Sequence, residues 1–326
     1  MERLKILRLS CTACILLFLC LSGRSQDFPT IKLRDSAHLF GKGSISDGDF
    51  IYNSAFTPDG NTVYFSKATS NWAYIAIFYS TKRGGQWSAA QPVSFTGVYR
   101  DTDPFVSKDG KRLYFCSDRP VDGKPFKDYQ YNLFYVDLNG NKVVSEPARM
   151  ELPIPADMRV LYPSFADNGD LYFCASDTSR DSDIYGCAFV NGAYQAPVRL
   201  SFNDKHFVDL DAVVARDESF IIFTSVNRKG AGFVDLWVSF RKGDDWGTPI
   251  NMGGKINTAG RDAAPGLSPD NKKLYFSANR ENVSTRPVYK DGKVTAEAVN
   301  NLFHSAGNGM PQIYEIDISD LPGQGG

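Results

Sequence analysis

Histidine is scarce: there are three in 326 residues, at positions 38, 206 and 304. Their spacing matches no zinc ligand set, so no metal and no other cofactor is expected. Cysteine is little commoner. Of six, Cys11, Cys14 and Cys20 fall in the first 25 residues. The remaining three, Cys116, Cys174 and Cys187, are too few and odd in number for a disulfide framework, although a Cys174–Cys187 pair across neighbouring strands stays open. No Gly-x-Ser-x-Gly occurs, which removes an α/β-hydrolase nucleophile. Asp-rich runs such as DTDP (101–104) and SRDSD (179–183) lack the twelve-residue EF-hand pattern. The Gly-rich KGAGFVD (229–235) sits between strands rather than before a helix, so it is no phosphate cradle. An excess of positive charge is missing too. A net charge of −1 argues against a nucleic-acid surface.

One long apolar run is present. Arg3, Lys5 and Arg8 precede LSCTACILLFLCLSG (9–23), the layout of a secretory signal peptide and too short for a comfortable span. Gly23 and Ser25 suit cleavage before Gln26, and Leu19 before Cys20 argues against a lipoprotein anchor. Residues 1–25 are therefore expected to be removed, leaving 26–326 as one periplasmic or secreted domain. That chain has 32 basic and 36 acidic side chains, a net −4, and no membrane span.

What the chain has in abundance is repetition. NSAFTPDGNTVYFSKA (53–68) recurs as DPFVSKDGKRLYFCSD (103–118), YPSFADNGDLYFCASD (162–177), DAVVARDESFIIFTSV (211–226) and APGLSPDNKKLYFSAN (264–279). The Phe closing each aromatic pair falls at 65, 115, 173, 223 and 276, a period of 50 to 58. Each unit reads as an apolar strand, a turn and a second strand. In the first copy Pro58 presets φ and Gly60 closes the hairpin. Asp217-Glu218 lacks that Gly, so the fourth copy is expected to turn differently. Third strands follow (AIFYST, NLFYVDL, DIYGCAF, DLWVSF, QIYEIDI). Four copies then add a strand carrying Pro92, Pro147, Pro197 or Pro249, which fits an outer edge. The fifth lacks it, and DFPTIKL (27–33), with Pro29 in register, is the expected substitute. The fold class is all-β: a five-bladed β-propeller whose N-terminal strand closes the last blade. The blades are expected at about 52–95, 102–150, 160–200, 210–252, and 262–318 plus 27–33.

The SPD (268–270), TPDG (57–60) and SKDG (107–110) turns, the Tyr-Phe pairs and the DIY third strand (183–185) resemble the WD40-like, PD-motif repeats of the TolB-like family of exported bacterial propellers. The resemblance covers nearly all of 26–326. It implies a fold that mostly serves as a binding platform of the cell envelope.

Strand alternation places the second-to-third loops and the starts of the innermost strands on one face. The two long insertions, 119–130 and 280–311, are such loops, as is SNWAY (70–74). Long loops on one side of a repeat fold mark the binding side. There Asn53, Asp103, Tyr162, Asp211 and Ala264 form one column. Ile51, Asp101, Val160, Asp209 and Asp262 form another, with Arg100, Arg159 and Arg261 nearby. The candidate ligand-binding set is Asp101, Asp103, Arg100, Arg159, Tyr162, Asp209, Asp211, Arg261, Asp262 and Trp72. Carboxylates and guanidinia supply directional hydrogen bonds, and the aromatics supply apolar faces. The competing structural reading has these Asp bracing strand ends or pairing with the Arg. The partner expected is a protein, peptide or carbohydrate. Glycoside hydrolysis by paired carboxylates is the alternative, although Glu is almost missing from this face, with Glu281 and Glu297 confined to the long insertion. A purely structural role in an envelope complex is the third reading.

Overall fold

A computed structural model of the chain describes residues 29–121, 130–155, 158–176, 182–280 and 294–322. The signal-peptide reading, with Cys20, and Glu281 lie outside the described residues.

The repeat folds as a ring of five antiparallel sheets. The innermost strands are Phe50–Phe56, Asp101–Val106, Arg159–Phe165, Val208–Val214 and Asp262–Leu267. Each pairs with a second strand, which pairs with a third. The five repeated Phe, 65, 115, 173, 223 and 276, are at most 1% exposed. Burying each contributes roughly 1.5–3 kcal/mol, so this column is a main tie between blades. Phe115, for example, stacks on Phe95 at 4.5 Å between centroids. The Pro-bearing fourth strands shrink to two-residue edges: Gln91–Pro92, Ala148–Arg149, Val198–Arg199 and Ile250–Asn251.

Two expectations need correction. The fourth hairpin turns like its siblings. Glu218 takes φ 59° where Gly60, Gly110, Gly169 and Asn271 are also left-handed. Its N–H reaches Ala215 O at 2.8 Å, matching the bond from Gly60 to Thr57. The Glu side chain is tolerated because its carboxylate accepts from Tyr172 Oη at 2.5 Å and Asn168 Nδ2 at 3.0 Å. The strand closing blade 5 is not 27–33. His38 and Leu39 pair antiparallel with Glu315 and Tyr314. The earlier residues run parallel to the edge of blade 4, where Ile31 N–H donates to Asn251 O at 2.9 Å. Apolar packing decides this placement, since Leu33 is buried in a cluster with Met252, Ile256 and Ile316 and Ile31 packs against it. Gly253 makes room: a Cβ there would lie 2.4 Å from Ile31 O.

The three described cysteines are free. Cys174 stands opposite Ile184 and Cys187 opposite Leu171, so the register separates them. The 280–311 insertion also contains a helix, Ala296–Phe303, capped by Thr295.

Candidate functional site

Each innermost strand bulges at its middle, between Tyr52 and Ala55, Thr102 and Phe105, Leu161 and Ser164, Leu210 and Val213, and Ala263 and Gly266. The residue that takes the left-handed conformation is the first candidate column: Asn53 (φ 57°), Asp103 (52°), Tyr162 (55°), Asp211 (51°) and Ala264 (54°). Asn and Asp tolerate this region, whereas Tyr162 and Ala264 bear strain of roughly 1–2 kcal/mol each. The freed N–H groups find acceptors on the preceding blade. Asp103 N–H bonds Ser66 Oγ at 3.2 Å, Asp211 N–H bonds Cys174 Sγ at 2.8 Å and Ala264 N–H bonds Thr224 Oγ1 at 3.1 Å. Ser66, Cys116, Cys174, Thr224 and Ser277 each follow the repeated Phe. The buried Cys174 thiol thus accepts an interblade hydrogen bond, as the Ser66 and Thr224 hydroxyls do at the equivalent places.

The second column is braced. Asp101, Asp209 and Asp262 have fully buried side chains. Arg119 meets Asp101 at 2.7 Å, Arg228 meets Asp209 at 2.9 Å and Arg280 meets Asp262 at 3.2 Å. Ser117 and Ser225 add bonds of 2.6 Å to the first two, and Thr258 one of 2.8 Å to the third. Burial raises all three carboxyls above the usual range, opposed chiefly by Arg119 at Asp101, by Arg228 at Asp209, and by the Thr258 hydrogen bonds and then Arg280 at Asp262. These arginines were not candidates. The recurring signal was a Ser at the end of the second strand with an Arg two or three residues on, in CSDR, SVNR and SANR. Of the arginines that were, Arg100 binds Asp118 at 2.5 Å, and Arg159 begins the blade 3 innermost strand. Arg261 lies close enough to Asp211 to lower its pKa.

Tyr162 closes the channel. Its Oη donates to Pro265 O at 2.8 Å, from blade 3 to blade 5 across the axis, and the residue is 4% exposed. On the hairpin side a cavity of about 40 Å³ remains, lined by Ser54, Pro104, Pro163 and Pro265. It has room for about one water. Neither Asp103 nor Asp211 lines it, so anything larger must meet these residues from the loop side.

At that mouth Asp103 Oδ1 accepts from Thr102 Oγ1 at 2.9 Å and Oδ2 from Tyr162 N–H at 3.1 Å. Burial pushes its pKa up to about 6. Asp211 is pushed up to about 7 by burial and then by the charge of Asp103, against Arg261 and Thr224. Neither carboxylate forms an ion pair among the described residues, in contrast to the three braced aspartates. Thr102 continues to Tyr52 Oη at 2.7 Å, and Tyr52 meets the Trp72 ring edge-on at 5.4 Å. Trp72 holds φ 60°, stands 37% exposed and rests on Phe50 as well. Asp103, Tyr162, Asp211, Arg261 and Trp72 are thus brought to one mouth, and Tyr52, Thr102 and Phe50 join them unforeseen. Among the described residues no three His, Cys, Asp or Glu gather as a metal site, and no helix is long and apolar enough to cross a membrane.

No family model matches the chain, and no curated protein is similar to it. Solved structures similar to it include a putative TolB from Agrobacterium tumefaciens, 16% identical over 83% of this chain and 91% of that one, with a TM-score of 0.48. An α-L-arabinofuranosidase from Lactobacillus brevis is 15% identical over 83% and 92%, with a TM-score of 0.46. A periplasmic gluconolactonase from Pseudomonas aeruginosa is 14% identical over 70% and 65%, with a TM-score of 0.42. At these identities the likeness is one of fold. The chain is a five-bladed β-propeller.

Proposed function

We propose that this protein is an exported binding or scaffolding propeller of the periplasm or cell exterior, and that it receives a protein, peptide or glycan on its loop-bearing face. One observation carries the reading. Of the five aspartates on innermost strands, three are each given an arginine, while Asp103 and Asp211 at the mouth are given none within ion-pair distance among the described residues. Trp72, Tyr74, Val98, Tyr99, Phe233, Val299 and Phe303, all in segments of this face, turn large apolar surface to solvent. Interfaces with this mixture draw on aromatic anchors within a polar surround. In this reading Asp211, Arg261 and Trp72 touch the ligand, with Asp103 and Tyr162 behind them. Asp101, Asp209, Asp262 and Arg100 hold the rim in shape.

The test is a screen of the mature chain against peptide and oligosaccharide arrays, followed by affinity measurements with the strongest binder. Asp211→Asn and Trp72→Ala are each expected to weaken it about tenfold or more without unfolding. Undiminished affinity in both folded variants refutes the mouth as the site.

Glycoside hydrolysis is the second reading, favoured by the raised carboxyl of Asp211, which suits a proton donor. Asp103 is a poor second carboxylate because both its oxygens are already engaged. Turnover of aryl glycosides that vanishes in Asp211→Asn would favour this reading over binding alone.

A further inference from the structure

A second pocket, of about 710 Å³, opens on the same face at the rim of blade 5. It lies between the closing strand His38–Leu39, the Gly41–Ser46 turn and residues 304–307 after the insertion helix. Its size is within the roughly 300–1,000 Å³ usual for small-molecule sites. Apolar and small residues make up part of its lining, and most of its polar side chains are cations or hydrogen-bond donors. Lys42 and His304 are exposed, and neither side chain has a hydrogen-bond or ion-pair partner among the described residues. Arg280 lies over the Tyr314 ring at 4.5 Å with its Nη2 bound to Ile256 O and Asp262, while its buried Nε has no acceptor among the described residues. Ser305 adds a hydroxyl. The carboxylate in the wall, Asp47, is already taken by Lys67 at 2.7 Å.

An acidic chain that gathers unmatched donors in one concavity is set up to receive negative charge. Lysine is a compact point charge suited to phosphate, and guanidinium and hydroxyl donors complete the set. We propose that this pocket binds a small molecule bearing a tetrahedral oxyanion, a phosphate or sulfate ester, with Lys42 and His304 as its main contacts and the Arg280–Tyr314 pair as its floor. The site is separate from the channel mouth and stands or falls independently of it.

The experiment titrates the mature protein at fixed ionic strength with glycerol 2-phosphate, methyl sulfate and acetate, followed by calorimetry and by amide shifts. Saturable binding of the phosphate or the sulfate ester, well above acetate, is expected, and the better of the two identifies the anion. Lys42→Gln and His304→Gln are each expected to weaken it about tenfold. Neither side chain is bonded among the described residues, so both variants are expected to keep the wild-type melting temperature. Binding of acetate equal to that of both esters, absence of saturation, or indifference to both substitutions overturns the proposal.

Discussion

Arg228→Met isolates the brace under the loop face. Arg228 meets Asp209 at 2.9 Å, Ser225 donates to the other oxygen at 2.6 Å, and the Asp209 side chain is fully buried. The Arg228 side chain is 13% exposed, and its guanidinium lies 4.3 Å from the Phe207 ring centroid and 5.4 Å from that of Trp237. Met keeps much of the apolar stem, so packing is largely retained and the pair is what goes. Removing one partner of a buried pair strands the other charge, at about 3–5 kcal/mol. Burial already raises the Asp209 carboxyl, with Arg228 the main force opposing the rise. Without Arg228 the pKa climbs further. A carboxyl whose folded pKa exceeds its unfolded value binds more protons in the native state, so stability falls as pH rises from the unfolded value towards the folded one. The variant therefore loses about 3–5 kcal/mol at pH 8 and markedly less at pH 5, where Asp209 can protonate. Denaturant unfolding of residues 26–326 at both pH values measures this. Adding Asp209→Asn to the variant should recover part of the loss at pH 8. A loss below about 1 kcal/mol, or one equal at both pH values, would refute the view that a buried charge pair is at stake.

Three further outcomes are expected. Asp211→Asn should flatten the decline of stability with rising pH between about 4 and 7, because the raised carboxyl that causes it is gone; an unchanged slope in thermal melts contradicts the assignment. Cys174→Ala should cost about 1–3 kcal/mol by stranding the Asp211 N–H, whereas Cys174→Ser, the residue at equivalent positions 66 and 277, should be near neutral; equal losses would remove the acceptor role. Gly230→Ala should destabilise by about 1–3 kcal/mol, since its Cβ would fall 1.8 Å from Asp235 Oδ2, whose carboxylate accepts from Ala231 and Gly232 N–H; a stable variant in urea unfolding would mean the loop repacks freely.

Blade number and strand order within a blade were legible in the sequence, because a repeat compares itself. Five registers of the same turn and the same Phe leave one closed arrangement. Where copies differ, local chemistry misled. Glu218 occupies a turn position that favours Gly because Tyr172 and Asn168 of the neighbouring blade hold its carboxylate, a contact invisible to turn propensity. Pro29 matched the edge prolines, yet Ile31 and Leu33 bury themselves against blade 4 and leave the closure to His38 and Leu39.

The candidate columns show the same division. By itself, the sequence determined that Asn53, Asp103, Tyr162, Asp211 and Ala264 are equivalent, and that Asp101, Asp209 and Asp262 are too. Equivalence does not say which charges are spent inside the fold. Only tertiary structure decided that arginines from the second-to-third loops neutralise three aspartates, that Tyr162 bars the channel, and that Asp103 and Asp211 remain at the mouth. The reason is physical: a side chain's share of solvent and its partner are set by approaches between blades, over separations of 16 to more than 100 residues, and no local pattern encodes them.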